Sequence, residues 1–191
     1  MIIHNKNVFT EIKDCSTLNE LYDSREQLND AIVVLVHGGG ITDEVSAEAA
    51  EWLMKVPFAV VFAAEKISGF SYEFLSLFDV RLSSEKYPAS AAKADERYGV
   101  LCGDTAYFAL CSGGCAYAPN FVTVLDGEEN FSDEASVWTE KICGGKTSAQ
   151  LKVLVNCLTA VRRSGIDAVL SAESEGFYEL MAQETEDKSD E

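Results

Sequence analysis

Two uninterrupted apolar runs constrain this chain more than any other feature: residues 31–36 (AIVVLV) and residues 58–64 (FAVVFAA). Both contain adjacent valines, are too short for an ordinary helix, and lack polar alternation. Such runs form strands buried on both faces, which is the habit of parallel sheets covered by helices. Between them, residues 46–55 repeat their apolar positions at helical spacing and stop before Pro57, whose ring cannot continue a helix. Strand, helix and strand in that order argue for a largely parallel sheet.

The rest of the chain fits this frame. Residues 1–14 predict an opening strand pair that turns at residues 5–7. Thr17-x-x-Glu20 is a capping-box pattern, followed by a stripe of Leu18, Leu21, Arg25 and Leu28 on which Arg25 must reach out to solvent. Residues 72–78 predict a short helix; residues 78–82 (FDVRL) and 121–125 predict further strands. A helix is expected over 132–142, with acids in its first turn. Thr147-x-x-Gln150 opens another, running to Arg163 and ending at Gly165. A last helix is expected over 167–183. Pro57, Pro88 and Pro119 all fall between elements. The fold class is therefore α/β with a largely parallel sheet. One domain spans 1–183, and the acid-rich residues 184–191 form a disordered tail.

Charge limits the partners. The 191 residues carry 32 acids against 15 Lys and Arg, a formal −17. A field of that sign repels nucleic acid and anionic membrane surfaces. No run of about 18 apolar residues exists to span a bilayer, and the first residues lack the basic-then-apolar order of a signal peptide. A cytoplasmic protein is expected. Its cysteines (15, 102, 111, 115, 143 and 157) then read as reduced, small hydrophobes. Cys111-x-x-x-Cys115 has no histidine near it, so no metal is expected.

The first run ends in His37-Gly38-Gly39-Gly40. His-Gly-Gly-Gly after a strand is similar to the oxyanion segment of some lipases. A hydrolase of that kind also needs a Gly-x-Ser-x-Gly elbow and a histidine late in the chain. The nearest elbow, residues 69–73 (GFSYE), lacks its last glycine, and the two histidines are His4 and His37. The hydrolase expectation is therefore weak, and the plain expectation for His37 is a strand-end residue bonded to backbone. The glycines still let backbone N–H groups approach a ligand closely.

Residues 56–104 carry a more specific pattern. Pro57 precedes a strand, Ser68-Gly69-Phe70-Ser71 turns into a short helix, and Asp79-Val80-Arg81 opens the next strand. Residues 93–104 (KADERYGVLCGD), 130–135 (NFSDEA) and 175–180 extend it. This order resembles the crotonase superfamily, the enoyl-CoA hydratase/isomerase family. The resemblance implies a crotonase-like ββα superhelix with C-terminal helices. It also implies an enzyme that holds a small acyl thioester, stabilises its enolate in an oxyanion hole, and moves protons with carboxylates. Glu73 falls on the first catalytic carboxylate and Asp95 on the second. Phe70, in the turn with Gly69, falls on one oxyanion donor.

The family's longer loop before the proline is absent, since Gly40 and Pro57 stand 17 positions apart. The other oxyanion donor must then come from the stretch Gly38–Ile41, with Gly39, Gly40 and Ile41 as the site residues. No tightly held cofactor is expected; the acyl group would ride on CoA or another pantetheine thiol. Hydration or dehydration, double-bond shift and decarboxylation all fit, in a specialised biosynthetic setting. The alternative is a non-catalytic scaffold subunit. Trimers or hexamers would form through the stripe of Leu151, Leu154, Val155, Leu158 and Val161, unless that stripe packs on the chain's own core. A related peptidase using Ser71 is weaker, for want of a histidine.

Overall fold

The computed structural model describes residues 1–6, 8–67, 70, 74–75, 77–85, 122–126 and 130–164, with side chains to residue 159. It is a mixed α/β fold on one six-stranded sheet, whose strands lie in chain order. β1 (Ile2–Asn5) runs antiparallel to β2 (Thr10–Lys13). From β2 onward every neighbour is parallel: β3 (Val33–His37), β4 (Ala59–Ala63), β5 (Val80–Ser83) and β6 (Thr123–Val124).

The two apolar runs are β3 and β4, in the middle of this sheet. All five residues of β4 are buried, and so are the first four of β3. Alternate residues feed two separate cores, because a strand points successive side chains to opposite faces. Val34, Val36, Val60 and Phe62 meet α1 (Leu18–Asp23), α2 (Ala47–Lys55) and the segment around Phe74. Val33, Leu35, Val61 and Leu82 meet α3 (Phe131–Cys143) and α4 (Ser148–Ser164).

Local signals set the helix ends. Thr17 accepts the Glu20 amide at 3.3 Å, and the Glu20 carboxylate reaches back to Ser16. α1 nevertheless ends at Asp23, so the expected stripe splits. Leu28 is carried on a 3-10 turn, and Arg25 turns outward over the Tyr22 ring. Thr147 and Gln150 cap each other at the entry to α4, at 2.9 and 3.2 Å. Asn130 caps α3 through its side chain, which accepts the Ser132 amide. After α3, Gly145 takes φ +73, which glycine adopts without steric cost.

Gly38 answers to packing. A Cβ there would lie 2.3 Å from the Phe62 ring. Phe62 in turn stacks on Phe78 and meets Phe70 and Phe74 edge-on. Asp79 accepts the Val60 amide at 2.7 Å, and Arg81 donates to the carbonyls of Leu75 and Phe78. Thus Asp79 and Arg81 tie β5 to β4 and fix the segment leading into it. No helix among the described residues is long and apolar enough to cross a membrane.

Candidate functional site

Lys13, His37 and Ala63 are the last residues of β2, β3 and β4, and Ser84 follows β5. Ligands of open parallel sheets sit outside these carboxyl ends. Here the four residues share a cavity of about 680 Å³ with Gly39, Gly40 and the start of α3, a volume suited to a small organic ligand.

Strand parity brings a polar cluster to its edge. Glu11 and His37 lie on the sheet face that carries Phe9, Val33 and Leu35. Glu11 pairs with Leu35 in the β2–β3 register, and His37 stands two residues further along the same face. α3 packs on this face and presents Ser132 and Ser136, one helical turn apart. His37 Nε2 lies 2.8 Å from Glu11 Oε1, and His37 Nδ1 lies 3.1 Å from Ser132 Oγ. The Ser136 hydroxyl reaches Glu11 Oε1 and the Ser132 carbonyl. Lys6 bonds Glu11 Oε2 at 2.9 Å, with Lys13 3.4 Å from Oε1.

The electrostatics define the protonation. Burial alone would raise the Glu11 carboxyl, whose side chain is 2% exposed. The hydrogen bonds from Ser136, Lys6 and His37, with the charge of Lys13, outweigh it and hold the group at about 2. Burial pushes the His37 imidazole below its ordinary value, against the opposing pull of Glu11. His37 is therefore neutral at pH 7. An ionised carboxylate only accepts, so Nε2 carries the proton. The Nδ1 lone pair is left facing the Ser132 hydroxyl. That is the bonding of an activated nucleophile: hydroxyl, imidazole base and orienting carboxylate.

Cys15 also lines the cavity, but its thiol is almost fully buried, donates to the Thr17 carbonyl, and is pushed upward by burial and by Glu20. Gly39 and Gly40 border the same space, and among the described residues neither amide donates to a neighbour. Neither position has positive φ, and a Cβ at Gly39 would meet nothing within 4 Å.

The expected site residues divide. Gly39 and Gly40 lie at the cavity. The Ile41 amide donates to Gly38 O at 3.1 Å and that of Phe70 to Ile67 O at 3.0 Å, and both side chains belong to the core on the α1 and α2 side. Glu73, Asp95, Gly69, Ser71, the Cys111–Cys115 pair and the tail 184–191 lie outside the described residues. Among the described residues no group of three His, Cys, Asp or Glu gathers to hold a metal.

His37 departs from expectation, since its ring bonds the side chains of Glu11 and Ser132 rather than backbone. Ser132 and Glu11 stand in none of the motifs that pointed to a site in the sequence. A Gly-x-Ser-x-Gly elbow followed by a late histidine does not describe this cluster, whose order is Glu11, His37, Ser132. The legible signals were Phe9-x-Glu11, a charge in phase with a buried face, and the helical spacing of Ser132 and Ser136. No protein-family model matches the chain, and no curated protein matches it.

Proposed function

We propose that this protein acts on a small acyl thioester bound at the carboxyl ends of β2–β5, with the Gly39 and Gly40 amides donating to the thioester oxygen. The observation that carries this reading is the pair of glycines itself. Neither backbone angle nor crowding demands glycine there, yet both border the cavity with amides unused by the described residues. Two such donors aimed at one oxygen favour the developing enolate or tetrahedral anion over the neutral thioester.

The finer reading is crotonase-type chemistry, in which Glu73 and Asp95 move protons to and from the enolate. What supports it is the sequence order of Pro57, residues 59–63, Gly69-Phe70 and Asp79-Val80-Arg81, together with the bonds of Asp79 to the Val60 amide and of Arg81 to the Phe78 carbonyl. The test is a thermal-shift series with acyl-pantetheine and acyl-CoA thioesters, followed by turnover assays. Thioesters that bind the folded chain raise its apparent Tm. Glu73→Gln should abolish turnover and leave the melting curve in place. Absence of any thioester shift overturns the acyl site, and full activity in Glu73→Gln overturns the carboxylate role.

A scaffold that self-associates is the second reading, and α4 favours it. Leu151 and Val155 pack into the chain's own core, while Leu154 and Leu158, one turn apart, are 52% and 38% exposed. Sedimentation of the wild type and of Leu154→Glu/Leu158→Glu tests it. An oligomer that the double variant converts to a monomer supports this reading; a monomeric wild type removes it.

A further inference from the structure

We propose that Ser132 is a nucleophile that takes the acyl group from its carrier, with His37 as general base and Glu11 as the residue that positions His37. The proposal rests on the acyl-site reading for its substrate class. The resemblance gives none of Ser132, His37 and Glu11 a catalytic role, although Ser132 lies in the 130–135 segment that carries it and the oxyanion donors Gly39 and Gly40 are shared with it.

Three observations converge on it. Ser132 lines the cavity, and its Oγ lies 3.1 Å from His37 Nδ1. The other ring nitrogen is committed to Glu11 at 2.8 Å, which fixes the tautomer and turns the basic nitrogen toward the hydroxyl. Glu11 is itself locked by Ser136 and Lys6, so the imidazole is held on two sides. A serine satisfied for structure alone needs no such chain of oriented partners. Compared with many serine hydrolases the ring is used in reverse, since the hydroxyl meets Nδ1 and the acid meets Nε2. The chemistry is unchanged, because either imidazole nitrogen accepts a proton while the other donates.

The steps balance. Ser132 Oγ bonds to the thioester carbon as its proton passes to His37 Nδ1, and the oxygen of the tetrahedral adduct takes hydrogen bonds from Gly39 and Gly40. The adduct collapses, the C–S bond breaks, and the thiolate leaves with the proton from His37. Water then gives a proton to the same nitrogen and attacks the serine ester. The C–O bond breaks and Ser132 recovers its proton. The sum is thioester plus water giving carboxylic acid plus thiol. A different acyl acceptor in place of water would make the same site a transferase.

The closing experiment uses the full chain with two probes, a fluorophosphonate and S-acetyl-pantetheine, read by intact mass and peptide mapping. One adduct on Ser132 is expected, absent in Ser132→Ala. His37→Gln should slow its formation by at least about 100-fold, the scale of a positioned general base. Glu11→Gln should slow it less and move the pH profile of labelling, which a merely structural Glu11 would leave in place. Ser132→Thr covers the case in which Ser132→Ala fails to fold, since it keeps the hydroxyl but crowds attack. Thioester binding without any Ser132 adduct overturns this proposal alone, and so does equal labelling in folded His37→Gln. A Ser132 adduct with the fluorophosphonate but no binding of thioester overturns the acyl-thioester site and leaves the nucleophile standing.

Discussion

His37 Nδ1 lies 3.1 Å from Ser132 Oγ across 95 positions of sequence. The contact joins the end of β3 to the first turn of α3. It is held from behind by Glu11 on the neighbouring strand, whose side chain is 2% exposed against 11% for His37.

Acid should weaken the folded chain in two stages. His37 and Glu11 both bind protons less readily folded than unfolded, so stability falls as pH falls. For His37 the loss starts near its ordinary value of 6.5, where the unfolded histidine begins to charge and the buried one does not. For Glu11 the contribution is complete above its ordinary 4.5 and is lost as pH falls toward about 2. Urea midpoints measured from pH 8 to pH 2.5 should decline through both windows. In Glu11→Gln the lower step should be smaller.

Glu11→Ala should cost about 1–3 kcal/mol. The dominant loss is the buried acceptor of the His37 N–H, while the Ser136 hydroxyl keeps the Ser132 carbonyl. Lys6 and Lys13 are 41% and 35% exposed and regain water, so their stranding adds little. Urea unfolding at pH 7.5 measures the difference.

Gly38 and Gly39 should respond oppositely to the same change. Gly38→Ala drives a methyl into the Phe62 ring and should destabilise by about 1–3 kcal/mol or more. Phe62→Leu alone also costs stability, but the double variant should lose less than the sum, because the smaller side chain makes room. Gly39→Ala should leave the melting point nearly unchanged and weaken ligand binding at the cavity. Thermal unfolding with and without thioester separates the two effects.

The native thiols Cys15 and Cys143 should resist alkylation. Burial raises both, with Glu20 adding to the shift at Cys15 and Lys146 opposing it at Cys143. Both are almost fully buried. Iodoacetamide at pH 7.5 should leave them unmodified in the native chain and label them in urea, as read by peptide mass mapping.

Thr147→Ala should cost about 1 kcal/mol, because it removes the hydroxyl that accepts the Gln150 amide at the entry to α4. Thr147→Ser should keep most of that contribution. Thermal unfolding of the three proteins is the check.

The sequence by itself determined most of the described elements and the parallel sheet; the helix expected over 167–183, and part of that over 72–78, lie outside the described residues. The runs at 31–36 and 58–64 are β3 and β4, and both capping boxes open helices, because periodicity and capping act over a few neighbouring residues. The expected stripe of α1 breaks at Ser24, whose N–H bonds the last carbonyls of the helix, and Leu28 reaches the core from a 3-10 turn. Only the tertiary structure decided which polar groups meet. Glu11, His37 and Ser132 are remote in sequence, and none stands in a familiar local motif. What joins them is the parallel register of β2 on β3 and the docking of α3 on the same face. A strand reverses its side chains at every residue, so a shift of one position in that register would send Glu11 into the opposite core and leave His37 without its carboxylate.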